Sequence, residues 1–184
     1  MLIRIRPRRL AGLLLSTTLA AGCLTGCSFL SPFKNCEGTE SRVKDLASLR
    51  ILESRPPAAT LPKDFKDVES GCIDDSGDAW LFAERTYAFP GTRAEVIQYY
   101  RTAAERDGWK LEQDSERPPV PEETAGLCFA RGGDGQVMLL TLYFMTAHDL
   151  AIEGCKTGAE FASGSGFRIA AGSETDGAIT GCWD

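Results

Sequence analysis

The first 27 residues constrain the rest of the chain, because their composition is that of an export signal. Four arginines lie within the first nine positions, a mostly apolar stretch runs from Leu10 to Ala21, and small residues lead to Cys27. A charged segment, a short apolar segment and a small-residue zone are the three parts of a secretory signal peptide. About 12 apolar residues are too few to span a hydrocarbon core about 30 Å thick. The sequence therefore predicts cleavage of this segment.

The cysteine at the end of the segment indicates lipid attachment. Leu24-Thr25-Gly26-Cys27 resembles the bacterial lipoprotein signal, which implies that Cys27 receives a diacylglyceryl group and becomes the mature N-terminus. Cys23, which follows Ala20-Ala21-Gly22, is the alternative attachment site. Two acyl chains hold a protein on a membrane surface without spanning it, since each buried methylene contributes about 0.8 kcal/mol. We expect a lipid-anchored protein on the extracytoplasmic face of the cell membrane.

Cleavage before Cys27 divides the chain into three predicted parts. Residues 1–26 form the signal peptide, residues 27–40 a lipidated tether, and residues 41–184 a single domain. Loss of the four arginines leaves 16 basic and 26 acidic residues, so the formal net charge changes from −6 to −10. Phosphate binding needs clustered basic residues, and this charge therefore argues against nucleic acid as a partner. An anionic bilayer should also repel it, which leaves the lipid as the membrane contact.

The cysteines behind the signal are interpreted as disulfides, because thiols pair outside the cytoplasm. No CxxC or zinc-like spacing is present among Cys36, Cys72, Cys128, Cys155 and Cys182. Attachment at Cys27 leaves five cysteines, enough for two bridges and one free thiol, whereas attachment at Cys23 leaves six. The first expectation is a Cys155–Cys182 bridge, since both cysteines flank the same glycine-rich segment. Cys128 lies in an apolar stretch, and the alternative there is a buried thiol.

A helix after Pro90-Gly91 is the clearest predicted element. Thr92 and Glu95 fit a capping box, and Asp107-Gly108 supplies a left-handed stop. One apolar face follows from three- and four-residue steps through Val96, Tyr99, Tyr100, Ala103 and Ala104. A strand is predicted before it, over 80–89, and another after it, over 109–112, with Trp109 and Leu111 on one face. The three elements form a β-α-β unit.

The remaining segments predict hairpins and short connections. A brief helix around Val43, Leu46 and Leu49 should end at Pro56-Pro57, and a polar loop is predicted over 56–79. Strands over 127–131 and 136–145 flank a glycine-rich turn, and a shorter pair is predicted over 167–171 and 178–183. The arm over 136–145 is almost wholly apolar, as expected of a central strand. The predicted fold class is α+β: a mainly antiparallel sheet with a helix packed on one face, supported by disulfides.

A family resemblance accompanies this pattern. Residues 72–78 (CIDDSGD), Arg85-Thr86-Tyr87, Tyr99-Tyr100 and Gly108-Trp109 resemble small uncharacterised lipoproteins of high-GC actinobacteria. The resemblance covers about residues 1–145. It implies a surface location and a fold, and it carries no known activity or catalytic residues.

Two groups of residues resemble metal-binding or catalytic sites, but a structural role explains each of them better. Asp74, Asp75 and Asp78 resemble cation ligands, but the EF-hand spacing fails, and a solvated turn is the preferred interpretation. His148 precedes Asp149, yet no Gly-x-Ser-x-Gly elbow is present, which favours a surface loop. The glycine-rich segments do not match a phosphate loop. We therefore predict no catalytic, cofactor-binding or metal-binding residue.

The function expected from the sequence is that of a non-catalytic binding or interaction module at the cell envelope. Its expected partner is another envelope protein. The alternatives are an envelope hydrolase with unidentified acidic residues and a sensor or inhibitor domain. Six aromatic residues bear on this choice, and core packing is favoured over a ligand groove for them. They are Trp80, Phe82, Tyr87, Tyr99, Tyr100 and Trp109. Converging carboxylates in a deep pocket would favour the enzyme, and an exposed apolar patch a partner surface.

Overall fold

Six strands and four helices make up the described part of the chain. The computed structural model describes residues 35–75, 78–114, 126–133, 136–154, 158, 161, 165–177 and 182, which belong to the compact unit Pro32–Asp184. The strands are β1 (Glu69–Asp75), β2 (Asp78–Phe89), β3 (Lys110–Asp114), β4 (Leu127–Gly133), β5 (Gln136–Met145) and β6 (Ser165–Glu174). The helices are α1 (Glu40–Ala47), α2 (Arg50–Glu53), α3 (Arg93–Arg106) and α4 (Ala147–Ile152). No helix within these ranges is long and apolar enough to cross a membrane.

The strands form one antiparallel sheet in the order β1-β2-β6-β5-β4-β3. This arrangement confirms the predicted α+β class. β5 lies between β6 and β4, as its apolar sequence indicated. β2 and β3 run in the same direction, but three strands separate them. The predicted β-α-β unit therefore links two distant strands, and the chain returns later to fill the gap.

The predicted caps of α3 are confirmed. The hydroxyl of Thr92 accepts a hydrogen bond from the backbone N–H of Glu95 (3.3 Å), and the Glu95 carboxylate accepts one from the backbone N–H of Thr92 (2.8 Å). Gly108 follows the helix with a φ of +81°, a conformation that residues with a Cβ rarely adopt. Both ends of α3 are thus encoded locally.

Helices α1, α2 and α3 cover one face of the sheet and enclose the apolar core. Val96 and Tyr100 of α3 pack in one cluster with Phe144 and Phe167 of the central strands. Tyrosines on β2 and α3 attach the end of α2 to this core. The Tyr87 hydroxyl donates to the Leu52 carbonyl (2.8 Å). The Tyr100 hydroxyl donates to the Ser54 carbonyl (2.7 Å). Such bonds satisfy the carbonyls that a helix end leaves without an intrahelical partner.

Two local predictions were wrong. The polar loop predicted over 56–79 contains β1, which pairs with β2 along its whole length. His148 lies in α4 rather than in a loop, because Thr146 and Asp149 form a capping box. The shared face predicted for Trp109 and Leu111 agrees with the register: Trp109 packs in the core just before β3, and Leu111 lies opposite the core residue Phe129, although it is 43% exposed at the sheet edge. The second arm of the last predicted hairpin, over 178–183, lies outside the described residues except for Cys182.

Two disulfides are present among the described residues, Cys36–Cys72 and Cys128–Cys182. The expected Cys155–Cys182 bridge is therefore wrong, because the Cys182 sulfur is bonded to Cys128 and each sulfur forms one such bond. The buried Cys128 is likewise not a thiol. Cys155 lies outside the described residues. One bridge ties the start of the domain to β1, and the other brings the C-terminal segment to β4.

Candidate binding face

The side of the sheet opposite α1, α2 and α3, called the open face below, is the candidate functional site. Successive side chains of a strand point to opposite faces. Leu81 and Ala83 of β2 are therefore buried in the core, whereas Trp80 and Phe82 lie half-buried on the open face. Ile73, the register partner of Trp80 on β1, is 54% exposed. Large apolar side chains thus meet solvent on both strands.

Glycines on the neighbouring strands make room for these aromatic rings. A Cβ at Gly172 of β6 would lie 2.6 Å from the Nε1 of Trp80, and a Cβ at Gly71 of β1 would lie 3.1 Å from the Phe82 ring. Real Cβ atoms do not approach other atoms as closely as the first of these distances. The indole and the phenyl ring therefore lie across the sheet surface and over the backbone of the adjacent strands. They form a flat aromatic platform.

A shallow cavity of about 460 Å³ lies over this platform. Its lining combines the apolar residues Ile73, Trp80, Phe82 and Tyr143 with the charged residues Glu69, Glu84, Glu153 and Arg168. Side chains of four adjacent strands and of the end of α4 contribute to it. Sites for organic ligands commonly combine an apolar surface with a few placed polar groups in this way.

Arg168 organises the charged end of the cavity. Its guanidinium forms ion pairs with Glu84 (3.0 Å) and Glu153 (2.6 Å), and its Nε donates to the Thr86 hydroxyl (3.1 Å). Its side chain is only 13% exposed. A guanidinium with several hydrogen-bond partners is held in one orientation, because its donors form a rigid fork. The two carboxylates therefore converge on an arginine and not on an empty reaction site.

Burial raises the pKa of the Glu84 carboxyl above its ordinary value. The positive charge of Arg168 opposes this rise, and the negative charges of Glu69 and Glu153 add to it. Glu69 is the direct register partner of Glu84 across the β1–β2 ladder. Like charges opposite one another in a sheet are destabilising. The open face therefore carries a local excess of negative charge.

The residues singled out in the sequence do not come together as a catalytic or metal site. Asp74 is exposed near the end of β1, and Asp75 and Asp78 are register partners at the end of the β1–β2 ladder. The Asp149 carboxylate is used by the α4 capping box. Hydrogen bonds from Thr146 lower its pKa. In the ranges that the structure describes, no three His, Cys, Asp or Glu side chains form a group able to hold a metal.

The aromatic residues divide between the two faces of the sheet. Core packing was the correct interpretation for Tyr87, Tyr100 and Trp109, which are buried. It was wrong for Trp80 and Phe82, which form the platform on the open face. Sequence reasoning also missed Arg168. A charge between Phe167 and Ile169 in an otherwise apolar strand was the available indication, since such a residue must face away from the core or be paired.

The candidate lipid-attachment residues Cys27 and Cys23 lie outside the described residues. No family model, no curated protein and no solved structure matches the chain. The interpretation of the open face therefore depends on its own geometry.

Proposed function

We propose that this chain is a lipid-anchored, extracytoplasmic lipoprotein whose open face binds another protein of the cell envelope. The observation that carries the binding role is the aromatic platform. Trp80 and Phe82 are large apolar side chains that the core does not need, and the chain places glycines beneath them. Half-buried aromatic residues that share one face of a sheet are suited to binding, because they bury much area with few rotatable bonds.

Exposed apolar side chains elsewhere support the same surface. Three large apolar residues of the described chain are exposed: Ile73, Leu111 and Ile152. Ile73 belongs to the open face, and Ile152, which is 73% exposed, directly precedes the Glu153 that pairs with Arg168. Ile73 thus adds to the apolar area that a partner would bury on the open face, and Ile152 adjoins this surface along the chain.

The anchor is tested by the intact mass of the protein from the membrane fraction. The wild-type protein should carry the mass of a diacylglyceryl group on a chain beginning at Cys27, and Cys27→Ala should remain unlipidated. An unlipidated wild-type chain would refute the anchor. A lipidated Cys27→Ala chain would move the attachment to Cys23.

The binding surface is tested by site-specific photo-crosslinking in cells. A photoreactive residue at position 73 should capture a discrete envelope protein, and the capture should be lost when Trp80→Ala is added. The matched control carries the photoreactive residue at Gln98, which is exposed on α3 on the opposite side of the sheet. Equal capture from both positions, or capture that persists with Trp80→Ala, would contradict the open face as the binding surface.

The second candidate function is an envelope hydrolase, which the raised pKa of Glu84 beside a second carboxylate favours. A carboxyl with a raised pKa next to an ionised one is a typical acid–base pair. Against it, Arg168 occupies both carboxylates. Hydrolysis of an envelope substrate by the wild-type protein, abolished by Glu84→Gln and by Glu153→Gln, would establish the enzyme in place of the binding module.

A further inference from the structure

The open face carries more negative than positive charge next to its aromatic platform. Glu69, Glu84 and Glu153 contribute three carboxylates, and Arg168 is the one basic residue of the cavity lining. Arg168 forms ion pairs with Glu84 and with Glu153. Glu69 is exposed and lies directly opposite Glu84. A ligand that meets this end of the cavity therefore encounters uncompensated negative charge.

Keeping two carboxylates in register is unfavourable for the fold alone. Cross-strand pairs of like charge cost stability, and a glutamine or lysine at position 69 would remove the conflict. Sites where local rules are broken are often functional. Burial is the main cause of the raised pKa of Glu84, and the negative charges of Glu69 and Glu153 add to the rise, in agreement with the register. A cation placed between Glu69 and Glu84 would relieve this repulsion.

We infer that the open face binds an extended, basic peptide segment of a partner protein, with one arginine or lysine directed at Glu69 and Glu84. This inference depends on the proposed binding function and specifies its ligand. The stem of the basic side chain lies over Phe82, which precedes Glu84 by two residues on β2 and occupies the same face. An apolar side chain two residues along the peptide contacts Trp80 and Ile73. The recognised pattern is thus a basic and an apolar residue at alternate positions.

The dimensions favour a peptide over a small amine. Residues on one face of a strand recur about every 6.8 Å, so the distance from Trp80 to Glu84 is roughly 13 Å along β2. Two alternate side chains of an extended peptide point to the same face and cover about half of this distance, and the long stem of the arginine over Phe82 covers the rest. Arginine adds an attraction to aromatic rings when it lies over their faces. A lipid surface is disfavoured, because anionic headgroups repel the carboxylates.

Titration of defined peptides onto the full-length, oxidised protein in detergent tests the inference. The probe is the acetylated hexapeptide Gly-Ser-Arg-Ser-Leu-Gly, compared with the same peptide carrying citrulline, which is a neutral isostere of arginine, or glutamate. The arginine peptide should bind roughly five times more tightly than the citrulline peptide at low salt, because both an ion pair and a cation–π contact are lost. The difference should shrink at high salt, which screens exposed charges.

Three protein variants assign the effect to the open face. Glu69→Gln should reduce the preference for arginine over citrulline to about twofold or less, because the exposed carboxylate contributes an ion pair of ordinary surface strength. Glu105→Gln, which removes an equivalent exposed carboxylate from α3, should leave the preference unchanged. Trp80→Phe should weaken all peptides together while keeping the preference, since it reduces the apolar contact alone. Thermal unfolding of each variant verifies that it is folded.

Equal affinity for the arginine, citrulline and glutamate peptides would overturn the inference, as would an unchanged preference in Glu69→Gln. Tight binding of a neutral oligosaccharide that displaces the arginine peptide would also overturn it and would identify a glycan site. If the crosslink at position 73 is found while the peptides show no preference, the binding function stands and this inference fails. If neither is found, both fail.

Discussion

The indole ring of Trp80 lies over the backbone of Gly172, its diagonal neighbour on the adjacent strand β6. A Cβ at position 172 would come within 2.6 Å of the indole Nε1. The glycine is therefore a requirement of the aromatic platform and not of the strand, in which it is otherwise unfavourable. The glycine at position 172 of β6 thus determines where the Trp80 ring lies on the open face.

We predict that Gly172→Ala displaces the Trp80 ring and destabilises the fold. The ring or the strand must move, and overpacking of this kind costs about 1–3 kcal/mol. Chemical denaturation measures the loss. Binding of the arginine peptide should weaken in parallel. Gly133→Ala is the control, because a Cβ at this glycine on β4 has open space within 4 Å. Equal effects of the two substitutions would show that Gly172 matters for the strand alone.

Removal of the opposed carboxylate should stabilise the protein at neutral pH. Burial raises the pKa of Glu84 above its ordinary value of 4.5, with Arg168 opposing and Glu69 and Glu153 adding to the rise. A carboxyl with a higher pKa in the folded state holds its proton more tightly there. The resulting stability is complete below the unfolded pKa and is lost as the pH rises through the folded pKa.

Glu69→Gln removes one of the charges that raise this pKa. The variant should be more stable than the wild type at about pH 7 by some tenths of a kcal/mol, up to about 1. The difference should vanish at about pH 3, where Glu84, whose pKa is raised, is protonated and no longer repels a charge at position 69. Denaturant unfolding at the two pH values measures it. A variant that is less stable at neutral pH would contradict the like-charge interpretation.

The hydroxyls of Tyr87 and Tyr100 should each contribute measurably to stability. Tyr87→Phe and Tyr100→Phe keep the ring but leave the carbonyl of Leu52 or Ser54 without its donor. The expected loss is about 1–3 kcal/mol for each, since an unsatisfied carbonyl at a buried site is costly. Tyr99→Phe, in a half-buried tyrosine whose hydroxyl does not bond the end of α2, should be close to neutral. Equal unfolding free energies for all three variants would exclude this role of the hydroxyls.

Peptide mapping without reduction should recover the Cys36–Cys72 and Cys128–Cys182 linkages and no Cys155–Cys182 linkage. The bonded cysteines are 36 and 54 positions apart in the sequence, respectively. Loss of either bridge, through paired Cys→Ala substitutions, should lower stability by about 2–4 kcal/mol, because the unfolded chain gains freedom. A variant that loses Cys155 alone should retain the wild-type stability. A linkage between Cys155 and Cys182 would contradict the Cys128–Cys182 bridge.

The elements that were predicted correctly from the sequence are those whose caps, apolar periodicity and turn residues lie within one short stretch. α3 has a cap, an apolar periodicity and a glycine stop within one stretch, and the β4–β5 hairpin has apolar arms around glycines. β1 was missed because Glu69–Asp75 contains one β-branched residue, Ile73, and two acids at its end. Its strand conformation comes from pairing with β2. α4 was missed although its capping box, Thr146 and Asp149, was visible in the sequence.

The open face was not predictable because both faces of β2 are apolar in sequence. Leu81 and Ala83 alternate with Trp80 and Phe82, so the pattern does not indicate which pair meets the helices. The choice depends on α3 and on the glycines of β1 and β6, which are far apart in the chain. The association of Arg168 with Glu84 and Glu153 is likewise a consequence of strand order. Long-range pairing, rather than any local motif, creates the candidate site.

The Cys36–Cys72 bridge has a mechanical consequence if the chain is pulled between a lipid at Cys27 and a partner on the open face. Tension entering at Cys36 passes through the bridge directly to β1. The stretch between the two cysteines, which are 36 positions apart in sequence and enclose α1 and α2, is bypassed and cannot be drawn out. Fully extended, it would otherwise lengthen the tether by on the order of 120 Å. Formation of the Cys36–Cys72 disulfide therefore keeps the connection between the membrane and the sheet short under tension.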